Sequence, residues 1–210
     1  MTVKTLHQRL SILLCLFIPL HLVGHLAALG GQVWFDRVQA MLRPVYRNPV
    51  VEPILLTAVL VQALLGLALL WNRGRRGWRP GLTRWQSLSG LILSVFILQH
   101  IPAMLAARHG AGLDTTFWWP ASVASTWPFA IYFWPYYALG VAAFGMHLGI
   151  GLSFLLRRRR KAAAAVWAIR LGALGGVALG LAILAGISGV LHPVALPPEW
   201  RAYLAALWPV

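Results

Sequence analysis

The sequence has few of the residues on which self-contained redox and transfer enzymes depend. Its 210 residues include one cysteine, Cys15, and four acidic residues, against 18 lysines and arginines. A single cysteine inside an apolar run forms no internal disulfide and does not supply the ligands of an iron–sulfur cluster. A glycine-rich phosphate loop and a nucleophile motif are also missing. Any dehydrogenase or signalling chemistry therefore belongs to another polypeptide.

Apolar residues, in contrast, are abundant. The chain is 60% hydrophobic and 10% charged, and it contains 11 tryptophans. This composition is typical of an integral membrane protein. The net charge of +14 would suggest nucleic acid in a soluble chain, but here it is concentrated in two short clusters that flank apolar runs. We therefore expect no nucleic-acid partner, and we expect contact with membrane lipid.

The apolar runs predict an all-α fold, a single transmembrane helical domain over 1–210. Each of five runs is long enough to cross a hydrocarbon layer of about 30 Å. The residues after the fifth run are rich in proline, and we expect 191–210 to lie on the outer surface as a tail. The five predicted helices lie near 9–30, 52–72, 86–107, 130–156 and 163–190.

Charges and tryptophans predict the orientation of this five-helix bundle. Tryptophans form a belt at each predicted membrane boundary: Trp71, Trp78, Trp85 and Trp167 at the inner one, and Trp34, Trp118, Trp119, Trp127 and Trp134 at the outer one. Arginine and lysine concentrate after the second and fourth helices, and such clusters favour the cytoplasmic side. The acidic residues fall in the opposite connections, so we expect the N-terminus inside and the C-terminus outside. A cleaved signal peptide over 1–30 is the weaker interpretation, because no small-residue cleavage site follows the long apolar run. The basic residues are Arg73, Arg75, Arg76, Arg79 and Arg84, and Arg157 to Arg160 with Lys161.

Several histidines fall inside the predicted helices, where an imidazole needs a partner. At 1.5 Å per residue from the cytoplasmic end, His21, His100 and His25 lie at about 18, 21 and 24 Å. His147 and Gln62 lie about 15 Å from the inner face. The depths predict one layer with His100 facing either first-helix histidine, and a second layer nearer the cytoplasm.

Haem iron is a leading candidate for the partner of these imidazoles. Two axial histidines on facing helices need small residues nearby for the flat macrocycle, and Gly145, Gly149 and Gly151 surround His147 along the chain. Two alternatives remain open. The histidines can bond to carbonyls or hydroxyls across helices without a cofactor. His21, His25 and His100 can also bind a transition metal directly, although no carboxylate lies at that depth.

Three segments carry a resemblance to a known family. They are LCLFIPLHLVGHLAAL in the first helix, WQSLSGLILSVFILQH in the third and WPYYALGVAAFGMHLGIGL in the fourth. In the order and depth of the histidines, residues 9–155 resemble the cytochrome b membrane-anchor superfamily, which includes the five-helix anchors of fumarate reductase and succinate dehydrogenase. Two further segments are similar to related anchors fused to ferredoxin-like and nucleotidyl cyclase domains. They are YRNPVVEPILLTAVLVQALLGLALLWNR and QHIPAMLAARHGAGLDTTF.

The resemblance implies particular ligands. In two-haem members, the first helix pairs with the third and the second with the fourth. His21 and His100 match the outer pair, and His147 matches the fourth-helix ligand. Gln62 stands where the second helix would carry histidine, so the resemblance implies one haem b, with the second in doubt. His25 can replace His21, bond a haem propionate or quinone, or bond a carbonyl.

Two functions are consistent with this resemblance. The first is an electron-transfer subunit of an oxidoreductase complex, not catalytic alone, in the inner membrane of a bacterium. It would relay electrons between a membrane quinone and a cytoplasmic flavoprotein or iron–sulfur partner. The second is a haem- or quinone-responsive sensory anchor with a signalling partner and no net electron transfer. A haem-free structural membrane protein is a third interpretation, which the glutamine at position 62 supports.

Overall fold

The chain is all-helical in its computed structural model, which describes residues 2–74 and 80–208. Those residues contain eight α-helices and no strand. Four residues of the predicted inner basic cluster and inner tryptophan belt lie outside the described residues: Arg75, Arg76, Trp78 and Arg79. The helices are α1 Val3–Leu26, α2 Gln32–Tyr46, α3 Val51–Gly74, α4 Leu82–Leu105, α5 Trp118–Ser125, α6 Phe129–Arg158, α7 Ala162–Ile187 and α8 Pro198–Leu207.

Five of these helices are long and apolar enough to cross a membrane, as the sequence predicted. They are α1, α3, α4, α6 and α7. A 3-10 turn, Ala27–Gly30, extends α1, and a π-helical turn, Ala106–Gly110, extends α4. Because each apolar stretch continues over 24 residues or more, the described chain is that of a multi-pass membrane protein.

Local sequence explains several helix ends. Glu52 lies in the first turn of α3 and Glu199 in that of α8, where a carboxylate interacts favourably with the helix dipole. Arg157 and Arg158 lie in the last turn of α6, where a cation is favoured for the same reason. Gly31 adopts φ +83°, a conformation that L side chains rarely take, and α2 begins directly after it.

The described residues divide into two compact units. The first unit contains 1–15, 57–98 and 138–181, and therefore parts of α1, α3, α4, α6 and α7. Its buried serines donate hydrogen bonds to backbone carbonyl oxygens about one turn earlier in the same helix. Ser94 donates to Gly90 at 2.9 Å, and Ser153 donates to Ile150 at 2.7 Å. Hydroxyls satisfied in this way can lie inside an apolar unit at little cost.

Within the first unit, α6 and α7 pack backbone against backbone. A Cβ atom added to Gly172 would lie 2.8 Å from the Cα of Gly149, and one added to Gly145 would lie 2.7 Å from the Cα of Gly176. Only glycine permits such backbone contact. Gly172 and Gly176 therefore allow α6 and α7 to pack closely, and Gly180 lies against the backbone of Ala138.

The second unit contains 16–56, 99–137 and 182–210. Three helices that the sequence analysis did not predict belong to it: α2, α5 and α8. The amphipathic α2 packs against the Ala27–Gly30 turn, and α5 packs against α8. The predicted surface tail therefore includes a helix whose Trp200 and Leu204 are buried.

Candidate functional site

The first histidine site lies in the second unit and consists of His21, His25 and His100. His21 and His25 lie one turn apart on α1, and His100 lies on α4. The ring centroids of His21 and His100 are 6.3 Å apart, with an interplanar angle of 87°. The Nδ1 atom of His21 is buried and has no hydrogen-bond partner among the described residues. A buried nitrogen of this kind is costly unless another group binds the ring.

The spacing of this pair fits one metal ion between the rings. Because a metal–imidazole bond is about 2.0 Å long, imidazoles on opposite sides of one ion place their centroids about 6 Å apart. Both ring planes then contain the nitrogen–metal–nitrogen axis, which allows any dihedral angle between them. Within the described ranges, no group of three or more histidine, cysteine or acidic side chains can hold a metal ion. The direct metal site at His21, His25 and His100 therefore lacks geometric support.

An axial pair without a third protein ligand suits a metal whose other positions are already filled. A porphyrin supplies four equatorial nitrogens and needs only axial ligands from the protein. The spacing of His21 and His100, together with the unsatisfied Nδ1 atom of His21, therefore fits haem b. The same two observations favour His21 over His25 as the first-helix ligand.

Aromatic rings surround the pair. The Trp119 ring of α5 lies 4.9 Å from that of His100, in an edge-on arrangement. The Phe17 ring lies 5.4 Å from that of His21, and the Tyr46 ring lies 6.5 Å from it. These contacts give the imidazoles a largely apolar environment. The sequence predicts only a place in the outer tryptophan belt for Trp119, because its contact with His100 depends on α5, a helix that the apolar runs do not predict.

His25 contacts two rings within the same unit. Its centroid lies 4.6 Å from that of His21 and 5.6 Å from that of Phe35, which is only 2% exposed. Phe35 belongs to α2, so this helix covers His25 on one side. His25 therefore serves as a neighbour of the proposed ligand in this arrangement, and its further role stays a prediction.

A polar pair on α2 lies beside the same site. The Tyr46 hydroxyl donates a hydrogen bond to Oε1 of Gln39, a residue that is 6% exposed. A Cβ atom on Gly24 would lie 2.8 Å from the Gln39 amide nitrogen, so this glycine allows α2 to approach α1 closely. Burial raises the pKa of Tyr46, and this hydroxyl remains protonated across the physiological range.

Ion pairs fix other segments of the second unit. Arg108 pairs with Glu52 of α3 and also donates to the Thr115 hydroxyl at 3.2 Å. Asp114 accepts from Arg43, and from Arg47 at 2.9 Å. These ion pairs join α2 and α3 to the segment that follows α4.

In the first unit, the two residues predicted for the inner layer have different partners. Gln62 donates to the Ser11 hydroxyl at 2.8 Å. The Nε2 atom of His147 lies 3.1 Å from the Gln86 amide nitrogen, and its Nδ1 atom lies 3.1 Å from the Gln86 carbonyl oxygen. The hydrogen bonds of the structure thus join His147 to α4 and Gln62 to α1.

His7 is the residue near His147 that sequence analysis did not assign. Its ring centroid lies 6.5 Å from that of His147. The first apolar run predicts a helix that begins near residue 9, which leaves His7 outside it. The helix begins instead at Val3, so His7 is helical and half-buried.

The glycines beside His147 in sequence have a different role from the one predicted. Gly145 and Gly149 lie against the backbone of α7, and this packing leaves no space for a macrocycle on that side. A Cβ atom added to Gly151 would lie 3.7 Å from the amide nitrogen of Gln86. The glycine that lies against the His147 ring is on another helix. It is Gly90 of α4, where an added Cβ atom would lie 2.9 Å from the ring.

The remaining histidines lie outside both groups. His109 is exposed in the turn Ala106–Gly110. His192 is partly buried, and its Nε2 atom lies 2.9 Å from the Leu29 carbonyl oxygen.

Comparison with known proteins adds no further constraint. The chain matches no protein-family model, no curated protein and no solved structure.

Proposed function

We propose that the protein is a haem b-binding membrane subunit that carries electrons between a membrane quinone and a soluble redox partner. The observation that supports this most is the pair formed by His21 and His100. Their separation of 6.3 Å matches the spacing of two imidazoles on opposite sides of one iron. The resemblance to the cytochrome b anchors supports quinone as the lipid-side substrate.

The residues of the second unit hold the iron porphyrin and exclude water from it in this proposal. His21 and His100 hold the group on α1 and α4, while Trp119 and Phe17 pack against the two imidazoles and keep water away. An iron porphyrin bound between two histidines supplies reversible one-electron transfer. The two histidines and the apolar surround that Trp119 and Phe17 provide would tune the potential of that transfer.

The proposed orientation places the partner on the cytoplasmic side of a bacterial inner membrane. The basic residues at the end of α6 and in the following connection, 157–161, favour that side. The same positive charges would attract an acidic flavoprotein or iron–sulfur protein. The chain then acts as one subunit of an oxidoreductase, and the chemistry on the soluble substrate belongs to its partner.

Reduction by quinol tests this function. The oxidised full-length protein is placed in lipid nanodiscs, a short-chain naphthoquinol is added, and the visible spectrum is followed. We expect the sharp α-band of reduced haem b to develop in the wild type. In His21→Ala and His100→Ala this band should fall by at least half.

His109→Ala is the matched control, because it removes an exposed histidine outside both groups. It should reproduce the wild-type spectrum and rate. A wild-type protein that binds haem but is not reduced by quinol would contradict the electron-carrying function and leave haem binding intact. A protein without haem after expression with added 5-aminolaevulinate would contradict both.

A further inference from the structure

A second pair of imidazoles lies in the first unit, between α1 and α6. The ring centroids of His7 and His147 are 6.5 Å apart, and the rings are inclined by 68°. This separation is close to that of His21 and His100, and it again fits two imidazoles on opposite sides of one ion. Both histidines are helical, so each imidazole is held on a rigid element.

The environment of His147 fixes one of its two ring nitrogens as the donor. Its Nδ1 atom lies 3.1 Å from the Gln86 carbonyl oxygen and 3.2 Å from Oγ of Ser89. The Ser89 hydroxyl donates to the Trp85 carbonyl at 2.8 Å, so its oxygen is free to accept. Nδ1 therefore carries the proton, and the lone pair is on Nε2. Metal-binding histidines commonly bond a backbone carbonyl through the second nitrogen in this way.

The group that now faces Nε2 of His147 is a side-chain amide with an unsatisfied oxygen. The Gln86 amide nitrogen lies 3.1 Å from Nε2. The Oε1 atoms of Gln86 and Gln62 are both buried and have no hydrogen-bond partner among the residues the structure describes. Because the Gln86 amide is only partly satisfied, little is lost when it rotates away and Nε2 binds another group.

Glycines lie against both imidazoles of the second pair. A Cβ atom on Gly66 of α3 would lie 3.6 Å from Nε2 of His7, and one on Gly90 of α4 would lie 2.9 Å from the His147 ring. Two facing helices thus present backbone without side chains beside the pair. A flat ligand can approach a helix closely at such positions.

We infer that His7 and His147 are the axial ligands of a second iron porphyrin, and that His7 takes the place expected for a ligand at position 62. The inference rests on the proposed haem binding at His21 and His100. The described residues provide no group of three or more metal-binding side chains, so two imidazoles suit an ion whose equatorial positions a macrocycle fills. The Gln62 amide nitrogen is bonded to Ser11 and does not serve as a ligand.

Haem stoichiometry tests the inference. The full-length protein is purified from cells with ample haem supply, and the pyridine haemochrome is measured per chain. We expect two haems in the wild type and one in His7→Ala and in His147→Ala. Gln62→Ala is the matched control, because it removes a partly buried polar side chain that is bonded to α1, and it should retain two. His21→Ala should also retain one, since the second pair remains.

Three results would overturn the inference. The first is a single haem in the wild type that persists in His7→Ala, which leaves the proposed function intact. The second is two haems that both persist in His7→Ala. The third is loss of the second haem in Gln62→Ala but not in His7→Ala. A wild type without haem would contradict the proposed function as well, so the two failures are distinguishable.

Rescue separates ligation from folding. In His7→Gly the missing ring leaves space, and added imidazole should restore the second haem to near the wild-type ratio. Electron paramagnetic resonance of the oxidised protein should then show two low-spin, bis-nitrogen signals. Retention of the haem at His21 and His100 in the same sample would show that the chain has folded. Failure of imidazole to restore any haem, with that first haem retained, would contradict an axial role for His7.

Discussion

His21 and His25 are chemically identical neighbours on one turn of α1, and the structure gives them different surroundings. The ring of His21 lies 6.3 Å from that of His100, whereas His25 contacts His21 and Phe35. Depth along the helix did not separate them, because one turn changes depth by only about 6 Å. The difference depends on ring direction and on α2, which the sequence analysis did not predict.

Replacing His25 should therefore preserve haem binding. In His25→Ala we expect the wild-type haem content at the first histidine site, because both proposed ligands remain. The midpoint potential should shift, since a polar ring beside His21 is lost and the surroundings of a haem tune its potential. Potentiometric titration of the α-band measures both quantities. Loss of one haem in His25→Ala, with His21→Ala unaffected, would reverse the assignment.

Tyr46 should make the stability of the protein depend on pH in the alkaline range. Burial raises its pKa above that of the unfolded chain, which is about 10. Its contribution to stability is therefore complete below pH 10 and is lost as the pH rises through the folded-state pKa. Tyr46→Phe should lose about 1 kcal/mol at pH 8, because the hydrogen bond to Gln39 is removed.

Thermal unfolding in detergent between pH 8 and 11 measures this effect. We expect the difference in stability between wild type and Tyr46→Phe to shrink above pH 10, where the wild type alone loses the contribution of Tyr46. Tyr203 has a raised pKa from burial as well, and it stays in both proteins, so its effect cancels. A difference that is constant across the whole range would contradict the account.

At the scale of helices, glycines one turn apart on α7 serve different purposes. An added Cβ atom on Gly172 would lie 2.8 Å from the Cα of Gly149, whereas one on Gly175 meets nothing within 4 Å. Gly172→Ala should destabilise the protein by about 1–3 kcal/mol, because backbone atoms must separate. Gly175→Ala should be neutral or stabilising by up to about 1 kcal/mol, since alanine favours a helix.

Unfolding of both variants in mixed micelles compares the two glycines directly. Each variant adds one methyl group to the same helix, so the pair is matched in chemistry. Equal stability changes in the two variants would show that contact between α6 and α7 does not depend on Gly172.

The two groups of ion pairs in the second unit should contribute differently to the free energy of unfolding. The side chains of Arg108 and Glu52 are 15% and 25% exposed, whereas that of Asp114 is 58% exposed. Glu52→Gln leaves a largely buried guanidinium without its carboxylate and should cost about 1–3 kcal/mol. Asp114→Asn should cost at most about 1 kcal/mol, because exposed pairs are screened by water. Thermal unfolding at low and high salt distinguishes them, and a larger loss in Asp114→Asn would contradict this order.

The helices that sequence reasoning identified are those with a strong apolar run. Such a run is visible without knowledge of the fold, since its length alone satisfies the membrane requirement. The helices α2, α5 and α8 are short, and they are fixed by contacts distant in sequence, such as α5 against α8. His7 was missed for a related reason, because the polar first turn of α1 extends beyond its apolar run.

For the whole molecule, the orientation in the membrane is the main prediction. Cys15 is the only cysteine, so a Cys15→Ser background allows single-cysteine labelling. With the N-terminus inside, Ala111→Cys, at an exposed position, should react with an impermeant maleimide in intact cells. Arg159→Cys should react only after the membrane is opened, because the basic connection after α6 favours the cytoplasmic side. The reverse pattern would contradict the proposed side for the redox partner.

The central claim is that two imidazoles from α1 and α4 hold haem b. The most direct measurement is the haem content per chain of the purified wild type, His21→Ala and His100→Ala, by pyridine haemochrome. We predict a b-type haem in the wild type, and one fewer haem per chain in each of the two variants. Unchanged haem in both variants, or no haem in a wild type matured with ample haem, would contradict the account.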